Sequence, residues 1–93
     1  MIQGSRTNTQ ELTLKEEKVT LSKNVVLYND DVNTFEFVIT ALMEICKHNS
    51  LQAEQCTYLV HYKGKCAVKT GSLIDLKPIK EALLDRGLSA SIE

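Results

Sequence analysis

Tyr28-Asn29-Asp30-Asp31-Val32-Asn33-Thr34-Phe35-Glu36 is the stretch on which the reading of this chain turns. Immediately before it, Val25-Val26-Leu27 is short, apolar and rich in β-branched residues, the composition of a strand. Immediately after it, Phe35, Val38, Ile39, Leu42, Met43 and Cys46 recur at helical spacing. One carboxamide and two carboxylates therefore stand consecutively in a strand-to-helix turn. Asn33, with Glu36 three residues on, reads as an N-cap and its reciprocal partner. Asx residues in such a turn can serve only to satisfy neighbouring backbone amides. Aimed outward, the same acceptors would suit a cationic ligand. Both readings stand at this point.

Working outward towards the C-terminus, the first helix runs from about Thr34 to Lys47 and ends at His48-Asn49, where Asn tolerates a left-handed cap. His48 there favours the helix dipole. Ser50 is a good N-cap for a second helix over about Leu51 to Tyr62, stopped by Lys63-Gly64. On it Ala53, Cys56, Leu59 and Val60 share the core side, while Thr57, Val60 and His61, at i, i+3 and i+4, share an adjoining face. Lys65 to Thr70 alternates as a second strand, and Gly71-Ser72 turns the chain. Pro78 belongs in a first helical turn, which places the N-cap of the third helix at Asp75 and its start near Leu76. Leu76, Ile79, Leu83 and Leu84 form its apolar stripe, and Gly87 stands where a C-cap glycine belongs. Leu88, Ala90 and Ile92 alternate in a last strand. The order β-α-α-β-α-β predicts an α+β two-layer sandwich, a small three-stranded antiparallel sheet packed on helices.

Composition narrows the function classes. The chain has 93 residues, enough for one small domain. Residues 1–23 are polar with isolated apolar positions and read as a flexible arm, because so little apolar surface cannot offset the entropy of ordering. Residues 24–93 then supply the core. A formal net charge of −1 gives no electrostatic case for nucleic acid or an anionic membrane. No apolar run approaches the roughly 20 residues of a membrane span, and no basic-then-apolar secretion signal opens the sequence, so a cytoplasmic location is expected. Three cysteines, Cys46, Cys56 and Cys66, without close pairs, fit free thiols in a reducing compartment rather than a zinc site. The four glycines make no phosphate loop, and His48 and His61 stand at no ligand spacing, so neither cofactor nor metal is expected. The adjacent carboxylates Asp30 and Asp31 cannot flank a scissile bond, and no activated nucleophile is visible, so the chain is not expected to be an enzyme.

His61 is the remaining polar residue of interest. It reads either as a partly buried ring bonded to backbone or, if it faces the Asn29-Asp30 turn, as part of an amine site. A neutral imidazole nitrogen and a carboxamide oxygen are both acceptors, and a nearby carboxylate adds attraction for an ammonium group. Phe35, Val38, Val60 and Leu88 could then wall a pocket beneath.

Taken together, Asn29-Asp30-Asp31, the helix start Phe35-Glu36-Phe37-Val38, the run Val60-His61-Tyr62-Lys63-Gly64-Lys65 and the final Ile92-Glu93 resemble the ClpS family over about residues 24 to 93. These are adaptors of the bacterial Clp protease that recognise N-degrons. The resemblance implies a non-catalytic domain that binds proteins through a large hydrophobic N-terminal residue and its free α-amino group and hands them to a Clp AAA+ unfoldase, whose N-terminal domain would be the partner. It implies that Asn29 and His61 bond the α-amino group with help from Asp30, and that Asp31 and Asn33 hold the backbone of the first residues. Phe35, Val38, Thr57, Val60 and Leu88 would line the side-chain pocket, and Lys77 would dock the unfoldase. Phe35 and Thr57 stand where the family often has methionine, Thr34 where it often has proline, and Ser72 where an acidic docking residue is common. The same α+β outline also resembles the C-terminal domain of the ribosomal stalk protein, an interaction module without an amine pocket.

Overall fold

The computed structural model describes residues 22–93, so residues 1–21 of the expected arm lie outside the described residues. In chain order the elements are β1 (Lys23–Tyr28), α1 (Phe35–Ile45), α2 (Ser50–Lys63), β2 (Lys65–Gly71), α3 (Leu73–Asp85) and β3 (Ser89–Ile92). This is the β-α-α-β-α-β order read from the sequence, with β1 taking in Lys23, the last residue assigned to the arm.

β1 is the middle strand: the sheet order is β2-β1-β3 and both pairings are antiparallel. A central strand loses solvent along both edges, which is why Val25, Val26 and Leu27 are all buried. Val25 and Leu27 point to the helices. Val26 faces the other side of the sheet, opposite Ala67 and Ser91. On that side the Tyr28 and Ser91 hydroxyls both donate to the Glu93 carboxylate. The β1–β2 ladder slips between Val25 and Val26, whose partners are Lys69 and Ala67. Val68, the bulged residue, is thereby free to turn into the core, and the Lys69 ammonium donates to the Cys46 carbonyl at 3.2 Å.

All three helices press on one face of this sheet. α1 contributes Val38, Ala41 and Leu42, followed by Cys46; α2 contributes Ala53 and Val60; α3 contributes Leu76 and Leu83; Leu88 closes the base. The stripes on α2 and α3 are narrower than their sequence pattern implies. Leu59 and Leu84 are exposed and Cys56 is half-buried, because a three-stranded sheet cannot cover a wider face.

The helix ends depart from expectation in a consistent way. Thr34, not Asn33, caps α1: its hydroxyl accepts the Phe37 N–H at 3.1 Å, while Asn33 is engaged elsewhere. Cys46 closes α1 and Lys47 takes the left-handed conformation, φ 62°, that was expected near Asn49. Asn49 is instead the N-cap of α2, accepting the Gln52 N–H at 2.8 Å, so Ser50 is the first helical residue. His48, between them, turns inward and sits 2.7 Å from the Val68 carbonyl through Nε2, rather than serving the helix dipole at the surface. α3 begins three residues before the expected start, capped by Ser72 rather than Asp75. Pro78 therefore lies inside the helix, where it brings no N–H to the Ile74 carbonyl four residues earlier.

Two glycines stand as the sequence placed them. Gly64 ends α2 at φ 93°, and Gly87 follows α3 at φ 83°. After α3 the Leu88 N–H reaches the Leu83 carbonyl and the Gly87 N–H the Leu84 carbonyl, the paired bonds of a Schellman motif. Because Leu42 is fully enclosed between sheet and helices, Leu42→Ala is expected to lower unfolding free energy by about 2–5 kcal/mol, measured as a shift of the urea midpoint with little change in m.

Candidate functional site

The β1–α1 turn is organised by a single carboxylate. Asp30 Oδ1 accepts the Val32 N–H at 3.0 Å and the Asn33 N–H at 2.9 Å. The Asn33 side-chain amide also donates to both Asp30 oxygens, at 3.1 and 2.9 Å, and on to the Gly87 carbonyl at 3.0 Å. This explains why Asn33 does not cap α1. Its carboxamide ties the turn to the α3–β3 connection. Burial pushes the Asp30 carboxyl up, but the bonds from Asn33 and Val32 outweigh it and hold the group below its ordinary value. It is an anion at neutral pH.

Asn29 fixes the turn from the other side. Its N–H donates to the Gly64 carbonyl at 2.9 Å, which draws the turn against the C-terminal end of α2. His61 stands on the last turn of that helix, so the turn and the imidazole meet at one rim. No hydrogen bond among the described residues engages the Asn29 carboxamide or the His61 ring nitrogens.

Beneath this rim lies a cavity of about 180 Å³. That is below the roughly 300 Å³ of a drug-sized or cofactor site and suits a single side chain. Leu27, Val38, Val60 and Leu88 supply buried aliphatic walls, and buried Thr57 joins them; Asn29, Asp30, Asn33, Phe35 and His61 also line it. Thus nine of the ten residues singled out for substrate binding converge on one cavity, from the turn, α1, α2 and the approach to β3. Asp31 is exposed beside the turn and does not line the cavity. Lys77 is exposed on α3, also apart from it.

Leu27, Tyr28 and Thr34 line the cavity too and were not among the expected residues. Leu27 was legible as an inward position of β1 but was read as core alone. Four rings close a loop at the mouth. Phe35 meets Tyr58 edge-on at 5.0 Å and His61 edge-on at 6.0 Å; Tyr62 meets His61 edge-on at 4.9 Å and stacks on Tyr58 at 5.4 Å. The i, i+4 spacing of Tyr58 and Tyr62 was the available signal. These contacts restrain the imidazole, which would otherwise be a free rotor on an exposed helix end.

The cysteines do not belong to this site. All three are free thiols. Burial pushes Cys46 up to about 11, and burial with a hydrogen bond to Cys56 pushes Cys66 up to about 12. Among the described residues no cluster of His, Cys, Asp or Glu is arranged to hold a metal ion, and no helix is long and apolar enough to cross a membrane.

Residues 21–91 match the family described as ATP-dependent Clp protease adaptor protein ClpS. The chain belongs to the ClpS family. It is 37% identical over 59 residues to the ClpS adapter of Pectobacterium carotovorum, covering 61% of this chain and 56% of that one. It is 39% identical over 62 residues to ClpS of Campylobacter jejuni, covering 62% and 65%, and 38% identical over 66 residues to ClpS of Thermosynechococcus vestitus, covering 70% of each. The chain thus spans little more than half the length of some of its curated ClpS relatives. A solved structure of Agrobacterium tumefaciens ClpS2 bound to L-phenylalaninamide superposes with a TM-score of 0.71 over 77% of this chain and 94% of that one; at 22% identity it shows a shared ClpS fold.

The Asp30 carboxylate gives the turn a defined pH dependence. Its depressed value means that its contribution is present above the ordinary carboxylate range and is lost as pH falls through the folded value. The Val32 and Asn33 amides are therefore expected to keep their protection near neutrality and to lose it below about pH 4. Amide exchange followed by NMR as the Asp30 carboxyl is titrated checks this; protection unchanged once that carboxyl is protonated would show that the carboxylate is not what holds the turn.

Proposed function

We propose that this chain is a non-catalytic adaptor that captures proteins by a large hydrophobic N-terminal residue and its free α-amino group, and delivers them to the N-terminal domain of a Clp AAA+ unfoldase. The observation that carries the reading is the juxtaposition of two unengaged acceptors, Asn29 and His61, with an apolar cavity sized for one side chain. An α-amino group titrates near pH ~8, so at neutral pH it is mostly an ammonium, a donor only. It would donate to the Asn29 carbonyl oxygen and to an unprotonated His61 nitrogen, with the Asp30 anion supplying attraction through water. The side chain then enters between Val38, Val60 and Leu88.

Asp31, at the exposed edge of the turn, and Asn33 would hold the backbone of the first residues. Because the Asn33 amide nitrogen is already engaged by Asp30 and Gly87, it is the Asn33 oxygen that remains for this. The phenylalanine amide bound by Agrobacterium tumefaciens ClpS2 has the same two parts, a free amine and a bulky apolar side chain. Lys77, exposed near the start of α3, would contribute to unfoldase docking. A stalk-type interaction module has no need of an amine site above an apolar cavity, which favours the adaptor reading.

Two measurements test the pocket. Acetylating an N-terminal Leu peptide removes the charge and two donors, and charge-assisted bonds contribute roughly 1.5–3 kcal/mol each. Acetylation is expected to abolish binding in a fluorescence-anisotropy titration, and Asn29→Ala or His61→Ala to weaken it about tenfold or more. An acetylated peptide that binds as tightly as the free one would reduce the turn to a helix cap.

The second measurement concerns Phe35. Its ring, braced by Tyr58 and His61, narrows the mouth and is expected to reject N-terminal Ile and Val, which are wide at Cβ. Phe35→Ala should improve their binding by about 1–2 kcal/mol relative to Leu through relief of overpacking. An unchanged Leu-to-Ile ratio would assign the ring to packing alone.

A further inference from the structure

Five of the cavity-lining residues are buried, and four of them, Leu27, Val38, Val60 and Leu88, are aliphatic. The fifth is Thr57, only 3% exposed. Valine has nearly the same shape and would suit an all-apolar wall without the desolvation of a hydroxyl. The Thr57 hydroxyl donates its proton to the Ala53 carbonyl, one helical turn back, at 2.7 Å. That bond satisfies the hydrogen and leaves the oxygen with acceptor capacity.

Position along α2 gives this oxygen a meaning. Thr57 precedes His61 by four residues, so it lies about 6 Å further along the same helix. A first residue whose amine sits at Asn29 and His61 therefore carries the far end of an aromatic side chain towards Thr57. Tyrosine has an O–H donor at that end and phenylalanine has none. A phenol buried against four aliphatic walls needs an acceptor, whereas a phenyl ring needs nothing from Thr57.

Resting on the adaptor reading above, we infer that Thr57 is a specificity-determining residue: its Oγ accepts a hydrogen bond from the phenolic hydroxyl of an N-terminal tyrosine. The pocket thereby admits tyrosine at least as well as phenylalanine. The other four buried walls, Leu27, Val38, Val60 and Leu88, offer the hydroxyl no partner.

The test compares two peptides, identical except for Tyr or Phe at the first position, titrated against the full 93-residue chain. Thr57→Val keeps the shape and removes the acceptor; Thr57→Ser keeps the acceptor. The parent protein should bind the Tyr peptide at least as tightly as the Phe peptide. Thr57→Val should lower the ratio of Tyr to Phe affinity about tenfold, and Thr57→Ser should preserve the parent ratio. A parent that prefers Phe, a Thr57→Val variant that weakens both peptides alike, or a Thr57→Ser variant that behaves like Thr57→Val would each overturn the assignment while leaving the amine pocket standing. If neither free-amine peptide binds the parent at all, the adaptor reading falls and this assignment with it.

Discussion

A turn between a strand and a helix leaves several backbone N–H groups pointing in one direction with no regular partner. Here the Asp30 carboxylate gathers two of them and, through the Asn33 side chain, reaches the carbonyl that follows α3. Three separate parts of the chain are thus tied to one anion: the end of β1, the start of α1 and the approach to β3. The cavity is the space enclosed between them. Were the turn to relax, Asn29 would lose its position against α2, Phe35 its angle at the mouth, and Leu88 its place as a wall. Both oxygens of that carboxylate are engaged within the turn, so its part in the structure is to hold the turn together.

Element order, strand alternation and the two helix-ending glycines were all legible because each rests on local chemistry. Val25-Val26-Leu27 could only be a strand, and Gly64 and Gly87 occupy conformations that few other residues adopt without strain. The helix starts were less legible. Asn33, Ser50 and Asp75 are all good caps in isolation, yet Thr34, Asn49 and Ser72 do the capping. In the first case the reason is tertiary: Asn33 is recruited by Asp30 and Gly87, contacts invisible to a local reading. In the third, α3 tolerates Pro78 in its interior because burial of Leu76 and Leu83 outweighs one missing backbone bond.

The site was legible to a greater degree than the helix boundaries, and for a different reason. Asn29, His61 and the apolar residues between them had to converge for the sequence to make chemical sense as an amine site, and they do converge on one cavity. Tyr58 escaped notice because its contribution is indirect. It braces Phe35, which in turn restrains the imidazole. His48 misled in the opposite sense: a histidine at a helix end reads as a surface group, and only the fold reveals that Val68 waits for it inside.

β1 is the middle strand of the sheet, and the two ends of it face different tasks. At Tyr28 it delivers the chain to the cavity; at Asn24 it is latched to Glu93 by a reciprocal pair of backbone bonds, each 2.8 Å. Four steps of extended chain put roughly 13 Å between those ends. The strand works as a spacer bar, with the Asn24–Glu93 latch at one tip and the cavity at the other.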